Sequence, residues 1–119
     1  MVSLFDIFTI GIGPSSSHTV GPMRAARRFA EGLELEGYLD RIASVKVELY
    51  GSLGLTGRGH GSDRAVILGL MGQTPEAVEP ERIPSLIAEI QESRLLSLLD
   101  KRAIPFRERN HLMFHRRGH

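Results

Sequence analysis

The eleven residues Gly51-Ser52-Leu53-Gly54-Leu55-Thr56-Gly57-Arg58-Gly59-His60-Gly61 include five glycines. That much conformational freedom opposes any regular element and marks a loop or a series of tight turns. The segment therefore divides the chain. Before it, Val45-Lys46-Val47-Glu48-Leu49-Tyr50 alternates apolar with charged residues, the pattern of a half-buried strand. After it, Ser62 or Asp63 can cap a helix over roughly 64–71, which Gly72 ends.

A second break lies nearer the start. The apolar stretch 2–12 reads as a helical turn followed by a strand, and Gly11, Gly13 and Pro14 then turn the chain. From about Thr19 to Glu36 the spacing is helical. Met23, Ala26, Phe29 (or Ala30) and Leu33 share one face, while Arg24, Arg27, Arg28 and Glu31 take others. Pro22 favours a start near Thr19 or Gly21, because the first amides of a helix have no intrahelical partner to lose, and a start at Ser16 or Ser17 would need a local kink. A further helix is predicted over 84–93, with Leu86, Ile87 and Ile90 buried. Two strands are predicted at 103–106 and 112–114, with Pro105 suited to an edge. This mixture predicts a single α+β domain over 1–119, built as a two-layer mixed or antiparallel β-sheet with helices.

Bulk properties narrow the function classes. The chain has 119 residues, 41% hydrophobic and 24% charged, with a net charge of +1. That balance gives no whole-chain argument for nucleic acid or an anionic membrane. The longest apolar runs, such as Ala65-Val66-Ile67-Leu68-Gly69-Leu70-Met71, are too short to span a bilayer. No basic region precedes the first apolar residues, so a secretory signal is not expected and a cytoplasmic location is. The chain has no cysteine, which removes disulfides, thiolate nucleophiles and thiolate ligation of an iron–sulfur cluster.

Chemistry concentrates in the two breaks. Gly11-Ile12-Gly13-Pro14-Ser15-Ser16-Ser17-His18-Thr19 carries four hydroxyls around a histidine, at or just before a helix N-terminus. Unpaired amides there attract a carboxylate or phosphate, and Ser15, Ser16, Ser17 and Thr19 can add donors, with His18 a further donor or a base. Helix capping alone is the competing reading. In Gly57-Arg58-Gly59-His60-Gly61-Ser62-Asp63, the flanking Gly59 and Gly61 leave room for a ligand beside His60, which titrates near neutral pH. Asp63 can orient it. An incidental histidine in a surface loop is the competing reading. Neither GxGxxG nor the P-loop spacing is met. His111 and His115, four apart, are weak metal candidates without a third ligand. Arg107, Arg109, Arg116 and Arg117 read as a solvated or partner-facing basic tail.

Together "SLFDIFTIGIGPSSSHTVGPM" and "VKVELYGSLGLTGRGHGSDRAVILGLMG" closely resemble the β domain of bacterial iron–sulfur L-serine dehydratases, in order from Ser3 through Gly72 and more weakly beyond. The resemblance implies several things. The fold should be similar to the allosteric substrate-binding domain of D-3-phosphoglycerate dehydrogenase. L-serine should be the substrate, converted to pyruvate and ammonia. A [4Fe–4S] cluster should sit in a separate α domain or subunit, with none bound by this chain, so the chain alone should be inactive. A homo-oligomer is expected, as is a longer family sequence continuing past His119. His60 becomes the candidate base, and Ser15, Ser16, Ser17, His18, Thr19, Gly59, Gly61, Ser62 and Asp63 the surrounding site. The inverse assignment, with His18 as base and His60 orienting substrate, stays open. Ser62 stands where the pattern has Thr, and Gly54 where it has Ala; both changes are small. A serine-sensing regulatory domain without chemistry is the alternative, and a purely structural domain the third reading.

Overall fold

The computed structural model describes residues 7–12, 20–49 and 62–114. In chain order these form β1 (Ile7–Ile12), α1 (Val20–Leu35), β2 (Ser44–Leu49), α2 (Ser62–Leu70), a 3-10 turn (Pro80–Arg82), α3 (Ile83–Ser93), β3 (Leu95–Leu98), β4 (Arg102–Pro105), the one-turn α4 (Glu108–His111) and β5 (Leu112–Phe114). The mixture of helices and small sheets is α+β, as the sequence predicts.

The sheets differ from the single mixed or antiparallel sheet expected. β1, β2 and β5 form a three-stranded sheet with β2 in the centre, and both pairings are parallel. Among the described residues, antiparallel pairing is confined to the separate β3–β4 hairpin. The reason lies in the connections. A helix follows β1 and returns the chain to β2 alongside, which is the crossover that parallel pairing requires. The hairpin needs only a short turn. It also supplies β3, a strand that the sequence reading lacks.

One core underlies both sheets. Along β2, Val45, Val47 and Leu49 are buried while Ser44, Lys46 and Glu48 are only half-buried, so the alternation in the sequence becomes an inner and an outer face. Met23, Ala26, Ala30 and Leu33 of α1 are buried at the predicted three- and four-residue spacing. Phe29 packs at the margin. Val66, Ile67 and Leu70 of α2, Ile87 and Ile90 of α3, and Leu96, Leu98, Ile104 and Phe106 complete the interior. Each such side chain contributes on the order of 1.5–3 kcal/mol by leaving water.

α1 and α2 end where glycine permits. After α1, Gly37 has φ 81°, Tyr38 N–H bonds to Leu33 C=O at 2.8 Å and Gly37 N–H to Glu34 C=O at 3.1 Å. After α2, Gly72 has φ 98°, with Gln73 N–H to Leu68 C=O at 3.0 Å and Gly72 N–H to Gly69 C=O at 2.9 Å. Both are Schellman endings, which satisfy carbonyls the helix leaves unpaired. Pro22 is the third residue of α1, within the first turn, where its missing N–H has no cost.

Candidate active site

The parallel pair β1–β2 sets the geometry of the candidate site. Its strands end together, with Ile12 opposite Leu49. Residues 13–19 lead from Ile12 to the start of α1 at Val20, and residues 50–61 lead from Leu49 to the start of α2 at Ser62. The two chemically rich segments therefore leave from the carboxyl ends of adjacent parallel strands. That edge of an open sheet is where ligands bind in folds of this kind. Each segment also runs into a helix N-terminus, whose free amides favour an anion.

The two helices are held tightly against each other. A Cβ placed on Gly69 would lie 2.3 Å from the backbone oxygen of Met23 and 2.9 Å from Cβ of Ala26, so only glycine permits this approach. Met23 is buried with Ala65 and Leu68, and further along Arg27 Nε donates to Gly72 C=O at 3.1 Å. These contacts advance along both helices in the same sense, so α1 and α2 begin on the same side of the domain. The starting points of the two segments are thus fixed by strand register, and their end points by helix packing.

Of the predicted site residues, Ser15, Ser16, Ser17, His18, Thr19, Gly59, His60 and Gly61 lie outside the described residues. Ser62 is the first residue of α2 rather than a residue before it. Asp63 lies in the first turn of α2, half-buried, and its Oδ1 accepts a hydrogen bond from Arg64 N–H at 2.8 Å. A carboxylate there is favoured by the positive end of the helix dipole. Its other oxygen makes no hydrogen bond with a described residue.

No group of three His, Cys, Asp or Glu side chains among the described residues is placed to hold a metal ion. His111 has local employment: its Nδ1 accepts from Arg107 N–H at 2.9 Å, and its ring stacks on Phe106 with centroids 5.6 Å apart. His115 lies outside the described residues. No described helix is long and apolar enough to cross a membrane. Near α1, Arg24 bonds the carboxylate of Glu76, whose pKa is held below its ordinary value by a backbone hydrogen bond and then by Arg24. Sequence reasoning missed the cleft where the 106–109 turn meets the end of α3, because residues 107–109 read as part of a basic tail.

The family model described as serine dehydratase beta chain matches residues 3–119. The chain belongs to the serine dehydratase beta chain family. It is 54% identical to the L-serine dehydratase of Streptomyces coelicolor over 98% of this chain and 26% of that protein. It is 47% identical to L-serine dehydratase 1 of Escherichia coli over 97% of this chain and 26% of that protein. Identity to the L-serine dehydratase of Haemophilus influenzae is 42% over 98% of this chain and 26% of that protein. The chain thus spans about a quarter of the length of the curated relatives it matches. In serine dehydratase beta chain terms, the match takes in both glycine-bearing segments and all the described elements.

Proposed function

We propose that this chain is the substrate-binding and capping domain of an L-serine ammonia-lyase, acting with an α domain to convert L-serine to pyruvate and ammonia. The observation that carries the reading is the common exit of the two segments from the carboxyl ends of β1 and β2. The name that its relatives bear, L-serine dehydratase, supplies the reaction class. The fold is proposed to be similar to the allosteric substrate-binding domain of D-3-phosphoglycerate dehydrogenase, with 1–119 as one domain within a homo-oligomeric, cytoplasmic enzyme.

The [4Fe–4S] cluster of such an enzyme does not fit the residues present here. The chain has no cysteine, and the described residues gather no alternative ligand set. In this proposal the cluster belongs to the α domain. This chain's own residues are left with three tasks: binding the carboxylate, removing the Cα proton and excluding water.

The hydroxyls of Ser15, Ser16, Ser17 and Thr19, with the free amides at the start of α1, take the substrate carboxylate. His60, neutral near pH 7, accepts the proton from Cα, with Gly59 and Gly61 allowing the substrate to approach and Asp63 or Ser62 orienting the ring. The Cβ–O bond then breaks, hydroxyl departs as water with one proton, and the resulting aminoacrylate hydrolyses to pyruvate and ammonia. His18 donates to the carboxylate.

The test is pyruvate formation from L-serine by the full-length enzyme under anaerobic conditions. His60→Ala should lower kcat by about 100- to 10,000-fold, the usual contribution of a positioned base. His18→Ala should mainly raise KM. Near-normal turnover in the His60 variant would refute the assignment, and the reverse pattern would make His18 the base. If both variants turn over normally but bind serine less tightly, the domain is a serine sensor instead.

A further inference from the structure

A cleft of about 330 Å³ opens between the end of α3 and the turn leading into α4, lined by Ile90, Gln91, Arg94, Phe106, Arg107, Glu108 and Arg109. Its floor is apolar, since Ile90 is 5% exposed and Phe106 is 2% exposed. Its rim carries arginines at 94, 107 and 109, which make no ion pair or side-chain hydrogen bond with any described residue. Elsewhere Arg24, Arg27, Arg82 and Lys101 all have carboxylate partners. The one carboxylate at the cleft, Glu108, accepts instead from the Gln91 side-chain amide at 3.1 Å. Three positive charges against one negative leave a local excess of +2.

The rim is also held in place. Arg94 ends α3 in the left-handed region, φ 61°, where helices favour glycine. Its N–H bonds to Ile90 C=O at 2.7 Å and its C=O accepts from Phe106 N–H at 2.9 Å. Arg107 N–H is held by His111 Nδ1, and the His111 ring stacks on Phe106. The cleft is lined by residues of other elements than those that carry the two segments. α4 precedes β5, whose first residue pairs with Val47 and whose last pairs with Leu49, so residues 107–109 come before the end at which β2 gives way to the second segment.

We propose that this cleft is a binding site for a small organic dianion, a phosphomonoester or a dicarboxylate. The arginines hold its charged group and its carbon skeleton lies on Phe106 and Ile90. Guanidinium forks suit phosphate and carboxylate oxygens, and the volume is that of a small-ligand pocket. The proposal goes beyond the dehydratase reading and does not depend on it.

The experiment is calorimetric titration of the full-length protein in low-salt buffer with phenyl phosphate, inorganic phosphate and succinate, each alone. Phenyl phosphate or succinate should bind saturably, one per chain, with Kd below about 1 mM, and whichever is tighter identifies the charged group. Arg107→Gln and Arg109→Gln should each weaken binding about fivefold, and raised salt should weaken it further. Glu108→Gln removes the repelling charge and should tighten binding about threefold, a gain that misfolding does not produce. Absence of saturable binding by every probe would overturn the proposal. So would affinity that neither arginine variant changes, or a Glu108→Gln protein that binds more weakly. Inorganic phosphate binding as tightly as phenyl phosphate would overturn the role of the apolar floor.

Discussion

The part of the chain up to Gly72 and the part after it solve the same backbone problem in opposite ways. Every glycine except Gly118 lies at or before position 72. There the described left-handed turns fall on glycines, Gly37 and Gly72. Beyond it, Arg94, Leu99 and Asp100 take the left-handed region with ordinary side chains. Leu99 and Asp100 lie in the three-residue β3–β4 connection with Lys101, whose N–H bonds to Leu98 C=O at 2.8 Å. Such turns favour Gly or Asn. Glycine is thus concentrated around the proposed active site, while the hairpin region tolerates local strain because its flanks are buried: Leu96, Leu98 and Ile104 are at most 1% exposed.

This contrast can be broken by exchange of residue types. The largest effect is expected at Gly69→Ala, where the new methyl would meet Met23 backbone oxygen at 2.3 Å and force α1 and α2 apart. Chemical denaturation should show a loss of about 2–3 kcal/mol, at the upper end of overpacking costs. A stability equal to wild type would mean that the helices part freely. Next comes Gly72→Ala, which places a side chain at φ 98° and should cost about 1–2 kcal/mol by the same measurement. On the other side of the comparison, Asp100→Gly should stabilise by about 0.5 kcal/mol, since relief at φ 59° is partly offset by a freer unfolded chain. A loss there would show that Asp100 is not strained.

The smallest effect is expected at Glu76. Its pKa is lowered from the ordinary 4.5 in the folded state. A lowered folded pKa stabilises above the unfolded value, and that contribution disappears as pH falls through the folded one. Glu76→Gln should therefore reduce the melting temperature slightly at pH 7, and the two proteins should converge well below pH 4. Because the carboxylate is largely exposed, added salt should also shrink the difference. A difference that persists in acid would assign it to packing.

Much of the fold was legible because local signals agreed with the tertiary outcome. The alternation at 45–50, the spacing of Met23, Ala26 and Leu33, and the stop at Gly72 each stated one element and one face. Parallel pairing was not legible, since Val45, Val47 and Leu49 read the same whichever direction their neighbours run. β3 escaped notice because Leu95-Leu96-Ser97-Leu98 has no β-branched or aromatic residue; its turn is supported by Leu99 N–H bonding Leu70 C=O at 2.9 Å. For the candidate site, residue chemistry singled out both segments, and strand register adds that they leave from one edge. The arginine cleft escaped because Arg94 and Arg107 are thirteen residues apart, and it takes the β3–β4 pairing and the Arg94–Phe106 backbone bond to bring them together.

Gly69 also offers an engineering handle. The missing side chain sets how closely the two supports of the proposed pocket can stand, from a position that need not touch substrate. Small graded substitutions there would press on the Met23 backbone, which no change of the Met23 side chain relieves, and so would widen the spacing of the supports in steps. If the proposed function holds, the size of substrate accepted would then be tuned from outside the pocket, leaving every hydroxyl and histidine of the two segments as it is.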